Sequence, residues 1–126
     1  MRFRLETRYP DYDTKGHVNN AVFLTYFEMA RSRAWLEVVE GDADFPFILA
    51  EATVTYVSEA KIGEELEIEI TTSEVRTKAW VWEYVIRTTP GAREVARGKT
   101  VQVMYDYGEG KTIAIPADVK EKLARV

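Results

Sequence analysis

The sequence has 126 residues, of which 46% are hydrophobic, 12% aromatic and 30% charged. That is one domain's worth of chain with apolar material for a core, and it excludes a disordered or low-complexity polymer. The net charge of −4, the absence of cysteine and the single histidine exclude a general nucleic-acid binder, thiol nucleophiles, disulfides, Cys-ligated zinc and a His-rich metal centre.

The elements follow in chain order. Arg2 to Tyr9 alternates, with Phe3, Leu5, Thr7 and Tyr9 on one side and Arg2, Arg4, Glu6 and Arg8 on the other, which predicts a half-buried strand. These first residues lack the apolar run of a signal peptide. No stretch of the chain approaches the roughly 18 to 20 apolar residues that span a bilayer. The expected setting is therefore the cytoplasm, with no membrane partner. Pro10 to Asn19 reads as a loop. From Asn20 to about Glu40 the pattern is apolar nearly all round a helix, from Ala21, Val22 and Phe23 through Trp35, Val38 and Val39. Such a helix is expected to be buried, with Asn19 or Asn20 capping its start and Gly41 in the left-handed position after its end. Asp42 to Pro46 is an expected turn.

Four strands are expected next. Ile48 to Ser58 sets Ile48, Ala50, Ala52, Val54 and Tyr56 on one face. Glu64 to Thr72 sets Leu66, Ile68 and Ile70 against Glu65, Glu67 and Glu69. Lys78 to Thr88 sets Trp80, Trp82, Tyr84 and Ile86 on one face, and Glu94 to Tyr107 carries Val95, Val101, Val103 and Tyr105. Turn residues at Lys61-Ile62-Gly63 and Pro90-Gly91-Ala92 predict that consecutive strands pair as antiparallel neighbours. Pro116 opens a short terminal helix carrying Val119 and Leu123. The expected fold is α+β, a single domain over 1–126 in the order β-α-β-β-β-β plus a short C-terminal helix. Its one long helix, apolar all round, requires a sheet that curls around it or a second subunit that covers it.

The densest polar cluster, Asp11 to Asn20, sits at the start of that helix. The first turn of a helix presents unpaired N–H groups and a partial positive charge, which can polarise a carbonyl. A carboxylate held beside them can attack a carbonyl carbon or activate a water, and Gly16 permits the tight backbone this needs. The same residue types also serve an ordinary capped loop, in which Asp11 fixes the chain, Tyr12 packs and His17 is a structural hydrogen-bonder.

The run Asp13-Thr14-Lys15-Gly16-His17-Val18-Asn19-Asn20, followed by Phe23, Tyr26, Phe27, Glu28, Ala30 and Arg31, resembles the hotdog-fold acyl-CoA thioesterases of the 4-hydroxybenzoyl-CoA thioesterase type. Their signature is D-x-D-x-x-G-H-V-N-N before an aromatic helix with E-x-A-R. The resemblance implies a long central helix wrapped by a curved antiparallel sheet, in a homo-oligomer, either a dimer or a tetramer formed as a dimer of dimers, with sites at the subunit interface. It implies hydrolysis of an acyl-CoA to free acid and coenzyme A. By the same resemblance, Asp13 is expected to act as nucleophile or general base, His17 to belong to the same catalytic loop, and the backbone N–H near Asn20 to polarise the carbonyl. Gly16, Asn19, Thr25, Glu28, Arg76 and Lys78 are the expected substrate-binding residues. Thr25 and Glu28 would position water or the acid of the opposite subunit. The phosphates of coenzyme A call for a basic cluster, drawn from Arg76, Lys78, Arg87, Arg97 and Lys99. No metal or other cofactor is expected, because a thioester is already electrophilic. The rival readings are an acyl-carrier-protein thioesterase, a non-catalytic acyl-CoA or lipid-binding module, and a nuclear-transport-factor-type cone, which normally begins with helices. The related dehydratases need an Asp and His pair at a different spacing.

Overall fold

The computed structural model describes residues 1–40 and 44–126. The elements are β1 (Arg2–Leu5), a 3-10 turn (Tyr9–Asp11), α1 (Val22–Val38), β2 (Phe47–Tyr56), β3 (Glu65–Val75), β4 (Ala79–Thr89), β5 (Glu94–Asp106), β6 (Lys111–Thr112) and α2 (Ala117–Leu123). The sheet is antiparallel, in the order β1-β3-β4-β5-β2, with β6 added on β5. Helix α1 packs on its inner face, which is the hotdog architecture.

Inner and outer faces follow from register, because residues directly opposite in an antiparallel pair point the same way. Trp80 faces Gln102, Trp82 faces Thr100 and Tyr84 faces Gly98. The expected Trp80, Trp82, Tyr84 and Ile86 face is the core, with all four side chains buried. Trp80 stacks on Trp35 of α1 at 5.8 Å between centroids, and Phe27 of α1 stacks on Tyr84 at 4.5 Å. Gly98 makes that second contact possible, since a Cβ there would lie 2.1 Å from the Phe27 ring.

Five expectations change. The first strand ends at Leu5, because the Tyr9–Asp11 turn closes on Arg8 through the Asp11 carboxylate, and a two-residue strand, β6, extends the predicted order. Strands β2 and β3 are not neighbours. The free edge of β3 is taken by β1, and β2 crosses to the far edge beside β5. An irregularity between Leu49 and Glu51 shifts the register of β2, so Ile48 points to the opposite face from Ala52, Val54 and Tyr56. Finally, α1 is not buried all round. Phe23, Tyr26, Phe27, Ala30, Arg31, Ala34, Trp35 and Val38 face the sheet, while Leu24, Thr25, Glu28, Arg33 and Glu37 form an exposed strip.

The helix starts with Asn19, whose side-chain oxygen accepts the Ala21 N–H at 3.0 Å and whose carbonyl accepts the Val22 N–H at 3.0 Å. At the other end Glu40 takes the left-handed conformation, with φ of 59°. The expected left-handed Gly41 and the first residues of the Asp42 to Pro46 turn lie outside the described residues. Among those described, no helix is long and apolar enough to cross a membrane.

Candidate active site

The loop before α1 folds on its own polar groups. The Asp13 N–H donates to the His17 carbonyl at 2.7 Å, and the Gly16 N–H donates to the Asp13 carbonyl at 3.1 Å. Gly16 has φ of 75°, a conformation that a side chain disfavours. This reversal carries the backbone N–H groups of Lys15 and His17 to Oδ1 of Asp13, at 2.9 and 3.1 Å. The bond from His17 and then that from Lys15 hold the Asp13 carboxyl below the usual aspartate range, because they stabilise the charged form. The acid is therefore ionised, exposed and fixed in orientation.

The second wall comes from the end of β2. The Val18 N–H donates to the Ala60 carbonyl and the Ile62 N–H to the Gly16 carbonyl, both at 2.8 Å. The Tyr56 hydroxyl donates to the Asn20 carbonyl at 2.9 Å. Between these walls lies a cleft of about 290 Å3 that includes Asp13, His17, Asn20, Phe23, Tyr56 and Glu59 in its lining. Phe23 is buried in its floor, edge-on to Tyr56 at 5.6 Å. The backbone N–H of Asn20 donates to no protein acceptor among the described residues. An ionised carboxylate and a free amide donor thus belong to one cleft at the start of α1, with the apolar Val18 and Phe23 in the same lining.

A family model described as the thioesterase-like superfamily matches residues 7–123. The chain belongs to this superfamily. Among proteins similar to this superfamily member is the long-chain acyl-CoA thioesterase FadM of Escherichia coli strain K12, 24% identical over 133 residues, spanning 100% of this chain and 98% of that one. A crystal structure of a thioesterase from Thermus thermophilus, complexed with coenzyme A and zinc, matches at a TM-score of 0.86. It is 27% identical, over 98% of this chain and 92% of that one. The 1,4-dihydroxy-2-naphthoyl-CoA thioesterase of Synechocystis shares the fold at a TM-score of 0.85 and 20% identity, over 99% and 96% of the two chains.

Within this thioesterase-like chain, the structure brings Asp13, His17 and Asn20 together in one cleft. Gly16 shapes the turn beneath it, and Asn19 spends its side-chain oxygen on the helix start. Thr25 and Glu28 lie on the exposed strip of α1, lining a separate shallow depression with Met29, Ser32 and Arg33. Arg76 and Lys78 sit beside the β3–β4 turn. The Lys78 carbonyl accepts the Met104 N–H there, at the opposite end of the strands from Tyr56, which pairs with Ala96. The expected basic cluster is also interleaved with acids, since Arg76 pairs with Glu74, Arg87 with Glu69 and Arg97 with Glu94. Among the described residues no group of three or more His, Asp or Glu side chains is placed to hold a metal ion.

Sequence reasoning missed Tyr56 as a wall of the cleft, and it missed Glu59 and Arg93 altogether. Arg93 lies at the β4–β5 turn and donates to the Ser58 hydroxyl, to the Glu59 carbonyl at 2.8 Å and to the Glu64 carboxylate at 2.7 Å. Nothing in the local spacing marks these residues, because their position depends on β2 and the β4–β5 turn ending at the same edge of the fold.

Proposed function

We propose that this protein is an acyl-CoA thioesterase, releasing a free acid and coenzyme A, with Asp13 as nucleophile or general base. The observation that carries the reading is the Asp13 carboxylate, kept ionised by two backbone donors on the rim of a cleft at the start of α1. The family and the acyl-CoA thioesterases among its relatives support the substrate class.

As a base, Asp13 takes a proton from water while the water oxygen bonds to the thioester carbon. As a nucleophile, its own oxygen forms that bond and water later releases the acid. In either route the carbonyl electrons move onto oxygen, where the Asn20 N–H and the positive end of α1 stabilise the charge. Collapse then breaks the carbon–sulfur bond, and the thiolate leaves. The reading needs no metal or cofactor, since coenzyme A is a good leaving group. A cytoplasmic setting is part of it.

The protein is proposed to act as a homo-oligomer, a dimer or a dimer of dimers. Strand β2 is a ten-residue sheet edge with Leu49 and Tyr56 half exposed, and such an edge is a template for pairing.

The test is a panel of short, long and aromatic acyl-CoA thioesters with free thiol measured, for the wild type and Asp13→Asn. Hydrolysis of at least one member, lost about 100-fold or more in the variant with oligomer size unchanged, is the expected result. Near wild-type turnover by Asp13→Asn rejects the role of Asp13. A flat zero across the panel with acyl-CoA still bound indicates a binding module.

A further inference from the structure

Glu59 meets the chain's single histidine inside the cleft. Nε2 of His17 lies 3.4 Å from Oε2 of Glu59, and both side chains line the space shared with Asp13. The backbones of both partners are fixed, and the bonds from Val18 to Ala60 and from Ile62 to Gly16 tie the two segments to each other. Arg93 clamps the Glu59 segment through the Ser58 hydroxyl, the Glu59 carbonyl and the Glu64 carboxylate, and Glu64 in turn accepts the Lys61 N–H at 2.8 Å. The His17 main chain is held at both ends by Asp13, its N–H reaching Oδ1 and its carbonyl accepting the Asp13 N–H. Only side-chain torsions remain to set the pair. The two side chains are 29% and 61% exposed, so their attraction contributes little to folding. Its consequence is orientation, since a carboxylate beside one ring nitrogen draws the proton to that nitrogen and leaves the other as the acceptor.

We infer that Glu59 is a positioning residue of the site, holding the His17 imidazole with its Nε2 hydrogen toward Glu59 and its Nδ1 lone pair as the free acceptor in the cleft. The inference rests on the thioesterase reading, because its readout is acyl-CoA hydrolysis.

The test is a double-mutant cycle of Glu59→Ala and His17→Ala on the best acyl-CoA of the panel, with Glu59→Leu as a second truncation and Glu59→Gln as the variant that keeps an acceptor oxygen. Glu59→Ala and Glu59→Leu are expected to lower kcat about 10-fold with KM within about twofold, the scale seen when a group that orients a working side chain is removed. Glu59→Gln should recover kcat to within about threefold of wild type, and in the His17→Ala background Glu59→Ala should change kcat by less than about twofold, because the two act as one unit. The thermal midpoint should stay within about 2 °C throughout, as for an exposed pair. Wild-type kcat in both truncations, a Glu59→Gln as impaired as Glu59→Ala, or an undiminished Glu59→Ala loss without His17 overturns the inference while leaving the thioesterase reading intact. A wild type inactive on every acyl-CoA overturns that reading first, and the inference with it.

Discussion

The phenol of Tyr26, on α1, donates to the Asp11 carboxylate at 2.9 Å in a buried contact. Asp11 is 1% exposed and also accepts the Arg8 N–H at 2.8 Å and the Arg8 guanidinium at 3.1 Å, while its carbonyl accepts the Asn19 N–H at 2.8 Å. One residue therefore ties the incoming chain, the loop before α1 and the helix together. Burial, and then the bond to Asp11, push the Tyr26 phenol well above its ordinary pKa.

Tyr26→Phe removes one of three donors to Asp11 and should cost about 1–2 kcal/mol, whereas Asp11→Ala leaves the buried Tyr26 hydroxyl and the part-buried Arg8 N–H without their acceptor and should cost about 2–4 kcal/mol. The double variant should lose less than the sum, because the two side chains share one bond. Denaturant unfolding of the four proteins measures this. Strict additivity would show that the contact is energetically idle.

Gly98→Ala tests the close approach of α1 to β5. The added Cβ meets Phe27 Cε2 at 2.1 Å and Cζ at 2.3 Å, and Phe27 is fully buried against Tyr84, so the ring has little room to yield. The expected loss is about 1–3 kcal/mol, a fall of about 4–12 °C in thermal midpoint. Phe27→Leu in the same background should recover part of it.

Gln102→Met probes an inner-face polar group that is 0% exposed. The Gln102 amide donates to Thr100, whose hydroxyl also meets Tyr84 at 2.7 Å, but its Oε1 has no protein partner among the described residues. Removing an unmet acceptor offsets the lost bond, so stability should stay within about 1 kcal/mol of wild type or rise. Truncating a core side chain elsewhere in the sheet, as in the fully buried Ile68→Ala, should instead cost about 2–5 kcal/mol.

Acid should destabilise the fold. The Glu64 carboxyl is held low by the Lys61 N–H and then by Arg93, and Glu69 by its hydrogen bond and charge contact with Arg2. A carboxyl whose folded-state pKa is depressed adds stability above its unfolded value and loses it as pH falls through the folded one. The thermal midpoint should be level from about pH 8 to 6 and fall below about pH 4.5. Glu64→Gln and Glu69→Gln should each flatten that fall, and a midpoint that rises between about pH 6 and 4 would contradict the assignment.

Alternation made β3 and β4 legible, since Leu66, Ile68 and Ile70 and the Trp80 to Ile86 face are buried as their spacing implies. The spacing of Asp13, Gly16, His17 and Asn20 made one wall of the site legible, because a loop that bonds within itself carries its geometry in consecutive residues. Apolar content misled at α1, where Thr25, Glu28, Arg33 and Glu37 recur every three to five residues and keep a strip in solvent. Residue pattern also misled at β2, where one register shift reverses which side chains face inward.

What the sequence determined alone was therefore local: helix and strand periods, the turn at Gly16 and the carboxylate before the helix. Tertiary structure decided what depends on distant segments meeting. It sent β2 to the edge beside β5, brought Tyr56 and Glu59 across the cleft from Asp13, and set Arg93 behind them. It also put Arg76 and Lys78 at the far end of the strands. Pairing partners in a sheet are chosen by the packing of the whole chain, and no residue's neighbours along the sequence carry that information.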